Sequence, residues 1–259
     1  MQKIIFGSFI FLIIFSIAYY IIIPTIMYNK EETELNKLQE FNNVVIVDSD
    51  VNNTDNIAVE VEKSNENKSH TNNYSKLKKI NSDMIGWIKI NGTNIDYPVM
   101  FRENDYDYYL NHSFYNKYSL SGVPFASENY NASSNNILIY AHNIKGKTMF
   151  AELLNYNNKN FYLNHKYLTY SDTVNEYKYE VIAVFNSQVY YNDEKVFKYY
   201  KLDYNLDEIE FLYYITNIKK LSIYDTGVSA TYGDKLITLS TCNNIEEDGR
   251  FVLVAKLVN

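Results

Sequence analysis

Residues 73–259 carry a recurring pattern of short apolar runs separated by polar turns. The runs are rich in Val, Ile, Leu, Thr and aromatic residues, which is typical of β-strands. They fall at residues 86–90, 95–99, 122–127, 136–141, 167–170, 177–187, 235–242 and 250–258. Asn91-Gly92, between the first two, is a strong hairpin-turn signal. Because the strands mostly follow one another directly, the pattern predicts a mostly β domain of about eight strands, closed into a largely antiparallel barrel.

Apolar positions at helical spacing predict a few peripheral helices between these strands. Residues 77–84 and 148–156 are short candidates, and residues 205–220 form the longest. We expect Asn205 to cap this last helix, with Glu208 three residues further on. Acidic side chains in its first turn and lysines in its last match the helix dipole.

Residues 4–23 contain no charged side chain and almost nothing polar. As a helix they would span about 30 Å, the hydrocarbon thickness of a bilayer. We expect a transmembrane signal-anchor, with residues 1–3 in the cytoplasm and the rest of the chain outside, since the bias towards inside positive charge favours that orientation. A cleaved signal peptide is the alternative, but the apolar run continues past the small residues Ser16-Ile17-Ala18.

Residues 24–72 are predicted to be an extracytoplasmic linker between this anchor and a catalytic domain at 73–259. The second half, from residue 48, is rich in Asn, Asp, Glu and Ser and should be extended or disordered. Residues 31–41 are a possible short helix, continuing from the membrane.

Candidate chemistry begins at the last two strands. Cys242, the only cysteine, ends the first strand, and Arg250, one of two arginines, opens the second. If the strands pair antiparallel, these side chains lie at the same end of neighbouring strands and can act on one substrate group. A single thiol in an exported protein has no internal disulfide partner, so it is reactive, intermolecular or accidental. Lysine fills nearly all the basic positions of this chain, so an arginine at position 250 suggests a need for its planar fork of donors.

A cysteine nucleophile needs a base, and the chain has four histidines. His70 lies in the predicted linker, and His112 and His165 lie in polar loops. His142 ends an apolar strand, so a rigid element would hold it, and it is the best base candidate.

The charge pattern and the absent motifs exclude several function classes. The net charge is −7, and residues 24–72 account for most of it, with ten acidic side chains against four lysines. The folded part is nearly neutral, so the clustered basic face of a nucleic-acid-binding protein is missing. The histidines are not closely spaced and one cysteine cannot form a thiolate site, so no metal is predicted.

These residues make the chain resemble the sortases, and most of all the class B sortases of Gram-positive bacteria. The matching segments are Thr238-Leu239-Ser240-Thr241-Cys242 followed by Arg250, Ile139-Tyr140-Ala141-His142-Asn143, residues 81–99, residues 108–112 and residues 148–150. The helix-bearing insert before the Cys242 strand is similar to the class B pattern. Ala141 departs from the Gly that the family often has before its His, a change from one small residue to another.

The resemblance implies a closed eight-stranded sortase barrel and a cysteine transpeptidase without metal or organic cofactor. Cys242 would attack the carbonyl after Thr in a sorting signal of the LPXTG or NPQTN kind, and His142 would protonate the leaving amine. Arg250 would hold the substrate and stabilise the oxyanion. An amine of the cell-wall precursor lipid II would then resolve the thioester. Ser240 and Tyr140, each two residues before a catalytic candidate, are weaker candidates for substrate contacts.

Three alternatives remain open on the residues alone. A membrane-tethered cysteine hydrolase would use water as its acceptor. A pilin-polymerising sortase usually carries an Asp-Pro-aromatic lid motif, which the predicted linker lacks. A membrane-tethered binding module would leave Cys242 inert.

Overall fold

The computed structural model describes residues 18–43, 74–144, 146–243 and 248–258. The strands are β1 (Met84–Lys89), β2 (Asp96–Met100), β3 (Phe125–Ala126), β4 (Asn136–Tyr140), β5 (Asn143–Ile144), β6 (Thr148–Met149), β7 (Tyr167–Ser171), β8 (Glu176–Gln188), β9 (Leu236–Cys242) and β10 (Gly249–Leu257). The α-helices are α1 (Ile23–Asn43), α2 (residues 74–80), α3 (Lys159–Asn164) and α4 (Glu208–Leu221). Single 3₁₀ segments lie at Tyr108–Leu110, Ala151–Asn157 and Tyr199–Lys201, and a π-helical turn, Ala18–Ile22, precedes α1.

Eight strands close into a barrel in the order β1-β2-β3-β4-β9-β10-β8-β7. Six of the neighbouring pairs are antiparallel, while β2–β3 and β4–β9 are parallel. The predicted turn joins β1 to β2, and Gly92 there has φ +79°, a conformation that glycine adopts without strain. The closed, largely antiparallel barrel predicted from the strand pattern is therefore confirmed.

The prediction of a helix over residues 148–156 is wrong at its beginning. Thr148 and Met149 form strand β6, which pairs with β5 in a small two-stranded sheet outside the barrel. Lys147 and Met149 both have positive φ, which is incompatible with a right-handed helix. Helical turns of the 3₁₀ type begin only at Ala151, so the segment is a tight turn followed by a short helical piece.

The N-cap of helix α4 lies two residues later than predicted. Leu206 is buried, and its backbone N–H donates to Oδ1 of Asn135 (2.9 Å), which keeps this part of the chain outside the helix. Asp207 is the N-cap instead, and it forms a complete capping box with Glu210. The pattern of a polar cap with an acid three residues on was present twice, and tertiary contacts select the second copy.

Apolar side chains fill the barrel and also cover the outer face of β8 to β10. Leu239, Phe251 and Leu253 are buried inside, while Phe211 and Tyr214 of α4 are buried against the outside. Fully burying one such side chain contributes about 1.5–3 kcal/mol. Six of the seven residues of β9 are buried, so both faces of this strand are packed and its end is held in a fixed place.

Helix α1 packs on the barrel, although the sequence assigned it to the linker. Leu35 and Leu38 are buried, and the side-chain amide of Gln39 donates to the carbonyl of Asp96 (2.8 Å). In α2, Leu77 is buried but Ile80 is 58% exposed, so only part of the predicted apolar face contacts the core. The predicted linker–domain boundary at residue 73 and the extended stretch from residue 48 lie outside the described residues.

The predicted membrane anchor at 4–23 lies mostly outside the described residues as well. None of the helices in the described part of the chain combines the length and the apolar character that crossing a membrane requires.

Candidate active site

The β9–β10 hairpin brings a thiol and a guanidinium onto neighbouring positions. Arg250 is paired with Cys242 in the antiparallel register. Just beyond this pair, the backbone N–H of Asn243 donates to the carbonyl of Gly249 (3.1 Å). Directly opposed residues point to the same face of a sheet, with Cβ atoms about 4.5–5.5 Å apart. The antiparallel pairing predicted from the sequence is therefore confirmed.

Strand β4 runs parallel to β9 and carries the segment with His142 alongside the thiol. On one side of this histidine, the Thr241 hydroxyl donates to the carbonyl of Ala141 (2.8 Å). On the other side, the side-chain amide of Asn143 donates to the carbonyl of Cys242 (2.9 Å). Because these bonds flank His142, its backbone is held beside the strand end that carries the thiol.

One cavity of about 510 Å³ collects these groups. It is lined by all five residues singled out from the sequence, which are Tyr140, His142, Ser240, Cys242 and Arg250. The segment between β8 and α4 adds aromatic and acidic side chains to its lining. Cys242 is partly exposed, so the thiol is accessible to a ligand.

The orientation of His142 is set by a backbone carbonyl rather than by a carboxylate. Its Nε2 lies 2.9 Å from the carbonyl oxygen of Leu110. A carbonyl only accepts hydrogen bonds, so Nε2 carries a proton and donates. Nδ1 is then the ring atom whose protonation changes between the neutral and charged forms. The sequence did not point to Leu110, because any residue can supply a backbone carbonyl.

Comparisons with known proteins agree with this geometry. The sortase domain family model matches residues 88–258. Sortase B of Listeria monocytogenes is 35% identical over 187 residues, which cover 70% of this chain and 72% of the relative. Sortase B of Staphylococcus aureus is 31% identical over 190 residues, which cover 71% of this chain and 74% of the relative.

The chain belongs to the sortase family. Both of these relatives are named sortase B, and the activity of the family is that of a cysteine transpeptidase. Among solved structures, a Staphylococcus aureus sortase B–substrate complex matches the fold with a TM-score of 0.71 at 24% identity, over 90% of this chain and 99% of that one. The resemblance predicted from the sequence and its transpeptidase class are confirmed.

Ser240 and Tyr140 are paired across β9 and β4, but they differ in burial and in their contacts. Ser240 is fully buried, and its hydroxyl is hydrogen-bonded to that of Tyr199 (2.7 Å). Tyr140 is half-buried and packs against Phe125. The Ser240 hydroxyl is therefore held within the cavity wall by Tyr199, while Tyr140 offers an aromatic surface to the cavity.

The positive charge of Arg250 influences the pKa values of two tyrosines in the cavity wall. Burial raises the pKa of Tyr140 well above its usual value, and Arg250 partly opposes the rise. Burial likewise raises the pKa of Tyr199, against the hydrogen bond to Ser240 and the charge of Arg250. Both phenols therefore stay neutral at physiological pH. They can donate hydrogen bonds without adding negative charge beside the thiol.

Asp203 also lines this cavity, and the sequence analysis missed it. Its side chain is 1% exposed, and Oδ1 accepts from the side-chain amide of Asn129 (2.9 Å). Burial raises its pKa above the usual 3.8, and the hydrogen bond from Asn129 opposes the rise. In the sequence it is one of many acids in a polar region, and only the fold shows that it is buried.

The raised pKa of Asp203 predicts a pH-dependent stability difference in the Asp203→Asn variant. The folded protein binds this proton more tightly than the unfolded chain, so the contribution of Asp203 to stability falls as pH rises from the unfolded pKa through the folded one. Asparagine does not ionise. We therefore expect the free energy of unfolding of the variant, relative to that of the wild type, to be higher at about pH 7 than at about pH 4. Urea unfolding at both pH values measures the difference.

Asp225→Asn is the matched control for this prediction. Asp225 is exposed, and its pKa is lowered by the backbone N–H of Gly227 and by Lys219. Its contribution to stability is already present above the unfolded pKa and is lost only as pH falls below it, so the free energy of unfolding of the control, relative to the wild type, should stay nearly constant between about pH 4 and about pH 7. If the free energies of unfolding of Asp203→Asn and the wild type differ by the same amount at both pH values, the pKa of Asp203 is not raised in the folded protein.

The described residues contain no group of three or more His, Cys, Asp or Glu side chains arranged to hold a metal ion.

Proposed function

We propose that this sortase cleaves a C-terminal sorting signal of the LPXTG or NPQTN kind after its Thr and transfers the Thr carbonyl to an amine of a peptidoglycan precursor. The observation that carries the proposal is the common strand end shared by three groups. Arg250 is paired with Cys242, and the segment of His142 is hydrogen-bonded alongside them. All three line one cavity that is open to a peptide.

In the first half-reaction, the Cys242 thiolate attacks the carbonyl carbon of Thr while His142 is protonated at both ring nitrogens. A C–S bond forms and the carbonyl oxygen takes the negative charge. The C–N bond then breaks, and the leaving amine takes the proton from Nδ1 of His142, because Nε2–H is held by the Leu110 carbonyl. The products are a thioester and a neutral imidazole.

In the second half-reaction, a neutral amine of the cell-wall precursor attacks the thioester carbonyl. The attacking nitrogen gives a proton to Nδ1 of His142, the C–S bond breaks, and the thiolate of Cys242 leaves. A new amide bond joins the surface protein to the precursor. The thiolate and the imidazolium are restored, so the cycle balances without a cofactor.

Arg250 stabilises the negative oxygen that forms in both half-reactions. A preorganised donor aimed at such an oxygen contributes most when water is excluded, and the guanidinium offers a fixed fork of donors. Tyr140 lines the same cavity and contacts the sorting signal, while the buried hydroxyl of Ser240 supports that wall through its hydrogen bond to Tyr199. The roles of these three side chains rest on their position beside Cys242.

The partners follow from this reaction and from the sequence. We infer that residues 4–23 anchor the enzyme in the cell membrane, with residues 1–3 inside and the catalytic domain outside, beside its surface-protein substrates and lipid II. The single cysteine allows a direct test. A membrane-impermeant thiol reagent applied to intact cells should label the wild-type protein and leave Cys242→Ala unlabelled. Labelling of the wild type only after lysis would contradict this topology.

The reaction itself is tested with the full chain in detergent micelles. Peptides ending in LPXTG or NPQTN motifs are incubated with and without a short glycine peptide as amine, and the products are identified by mass spectrometry. We expect cleavage after Thr and a new product that carries the glycine peptide. Products made only with water would favour the hydrolase alternative, and intact peptides would favour the binding-module alternative.

A further inference from the structure

Helix α1 contacts the backbone of the loop between β2 and β3 through a single carboxylate. The two oxygens of Glu31 accept hydrogen bonds from the backbone N–H groups of Leu120 (2.8 Å) and Ser121 (3.1 Å). Hydrogen bonds to a charged acceptor are about twice as strong as neutral ones. Glu31 therefore fixes the position of this loop segment relative to α1.

The next residue in the loop touches the carbonyl that faces the active site. Gly122 has φ +58°, and a Cβ atom built on it would lie 2.5 Å from the carbonyl oxygen of Leu110. Val123 continues the contact, because its N–H donates to the carbonyl of Tyr109 (3.1 Å). The position of the Leu110 carbonyl thus depends on where the segment held by Glu31 lies.

The Leu110 carbonyl is the group that accepts the hydrogen bond from Nε2 of His142 (2.9 Å). A continuous set of contacts therefore runs from Glu31 through Ser121 and Gly122 to Leu110 and the imidazole. Each step is a hydrogen bond or a close backbone contact.

We propose that Glu31 is a positioning residue for His142, acting from the N-terminal helix through the 119–123 loop segment. The proposal rests on the proposed function, in which His142 moves the proton. Loss of the Glu31 carboxylate lets the loop and the Leu110 carbonyl shift, so the imidazole loses its fixed orientation and Nδ1 is no longer held towards the reacting atoms. Small displacements of a catalytic group lower the rate strongly because its alignment is lost.

The test compares Glu31→Ala with Glu34→Ala in the full chain. Glu34 lies on the same helix and, within the described part of the chain, forms an exposed ion pair with Lys117 (3.4 Å), so its variant controls for a general effect on α1. We expect Glu31→Ala to lower kcat about tenfold, with KM for the peptide unchanged, while Glu34→Ala behaves like the wild type. Glu31→Gln keeps one acceptor oxygen, should fold, and should fall between the two.

A second readout does not depend on catalysis. The Nε2–H proton of His142, observed by NMR and assigned with a His142 variant, should be protected from exchange in the wild type and in Glu34→Ala and lost in Glu31→Ala. If the signal is lost in Glu31→Ala but the wild type itself has no activity, the positioning role stands and the proposed function fails. If Glu31→Ala and Glu31→Gln keep both the signal and kcat, or lose kcat with the signal intact, the positioning role is overturned.

Discussion

Replacing Cys242 with alanine is expected to reduce peptide cleavage by about 10,000-fold or more, to the rate without enzyme. The methyl group cannot form the thioester, and without the covalent intermediate neither the leaving amine nor the acceptor amine is processed. The cavity and the side chains around Cys242 remain, so the variant should still bind the sorting peptide. Product formation by mass spectrometry and peptide binding by fluorescence measure the two effects separately.

The absence of a second cysteine in the sequence sharpens this experiment. One equivalent of a thiol-alkylating reagent should inactivate the wild type and leave the binding of peptide by Cys242→Ala unchanged. Cys242→Ser serves as the matched variant, because it keeps the shape and a hydroxyl that does not ionise at neutral pH. Transfer product from Cys242→Ala at a rate near that of the wild type would reject the thioester mechanism.

The chemistry of the hairpin was predictable because it is local in sequence. Two β-rich runs separated by a short polar loop imply an antiparallel pair, and that pairing puts Arg250 opposite Cys242. The same local signals predicted the β1–β2 hairpin. Short-range patterns of this kind depend on turn chemistry and alternation, which a single sequence carries.

The placement of His142 needed the fold. It depends on the parallel pairing of β4 with β9, strands that are far apart in the chain, and no local pattern specifies such a partner. The sequence singled out His142 because it follows an apolar strand, but it did not show which strand would lie beside it. The Leu110 carbonyl and the buried Asp203 were missed for a related reason, since a backbone acceptor and one acid among many give no distinct signal.

Helix α1 shows a different limit of sequence reading. Its contacts with the barrel include only a few apolar side chains, such as Leu35 and Leu38, and otherwise polar groups. Glu31 contacts backbone N–H groups, and Gln39 contacts a backbone carbonyl. Such contacts leave no apolar stripe, so the segment was assigned to a polar linker.

Replacing Arg250 with lysine is expected to lower kcat/KM about 100-fold, and alanine should lower it further. Lysine keeps the positive charge but lacks the planar fork, and its single ammonium cannot hold the oxyanion in the same geometry. The loss should appear mainly in kcat, because the oxyanion exists only in the transition state and the intermediates. Steady-state kinetics with a sorting peptide and a glycine acceptor measure it.

Lys256→Arg is the matched control because it makes the reverse exchange on the same strand. Lys256 lies near the far end of β10, where it pairs with Asp234 (3.7 Å) away from the cavity. The control should keep wild-type kinetics. If Arg250→Lys kept them as well, a positive charge without the fork would be sufficient, and wild-type kinetics in Arg250→Ala would exclude Arg250 from oxyanion stabilisation. A loss confined to KM would instead assign it to holding the peptide, since an interaction made equally in the ground and transition states leaves kcat unchanged.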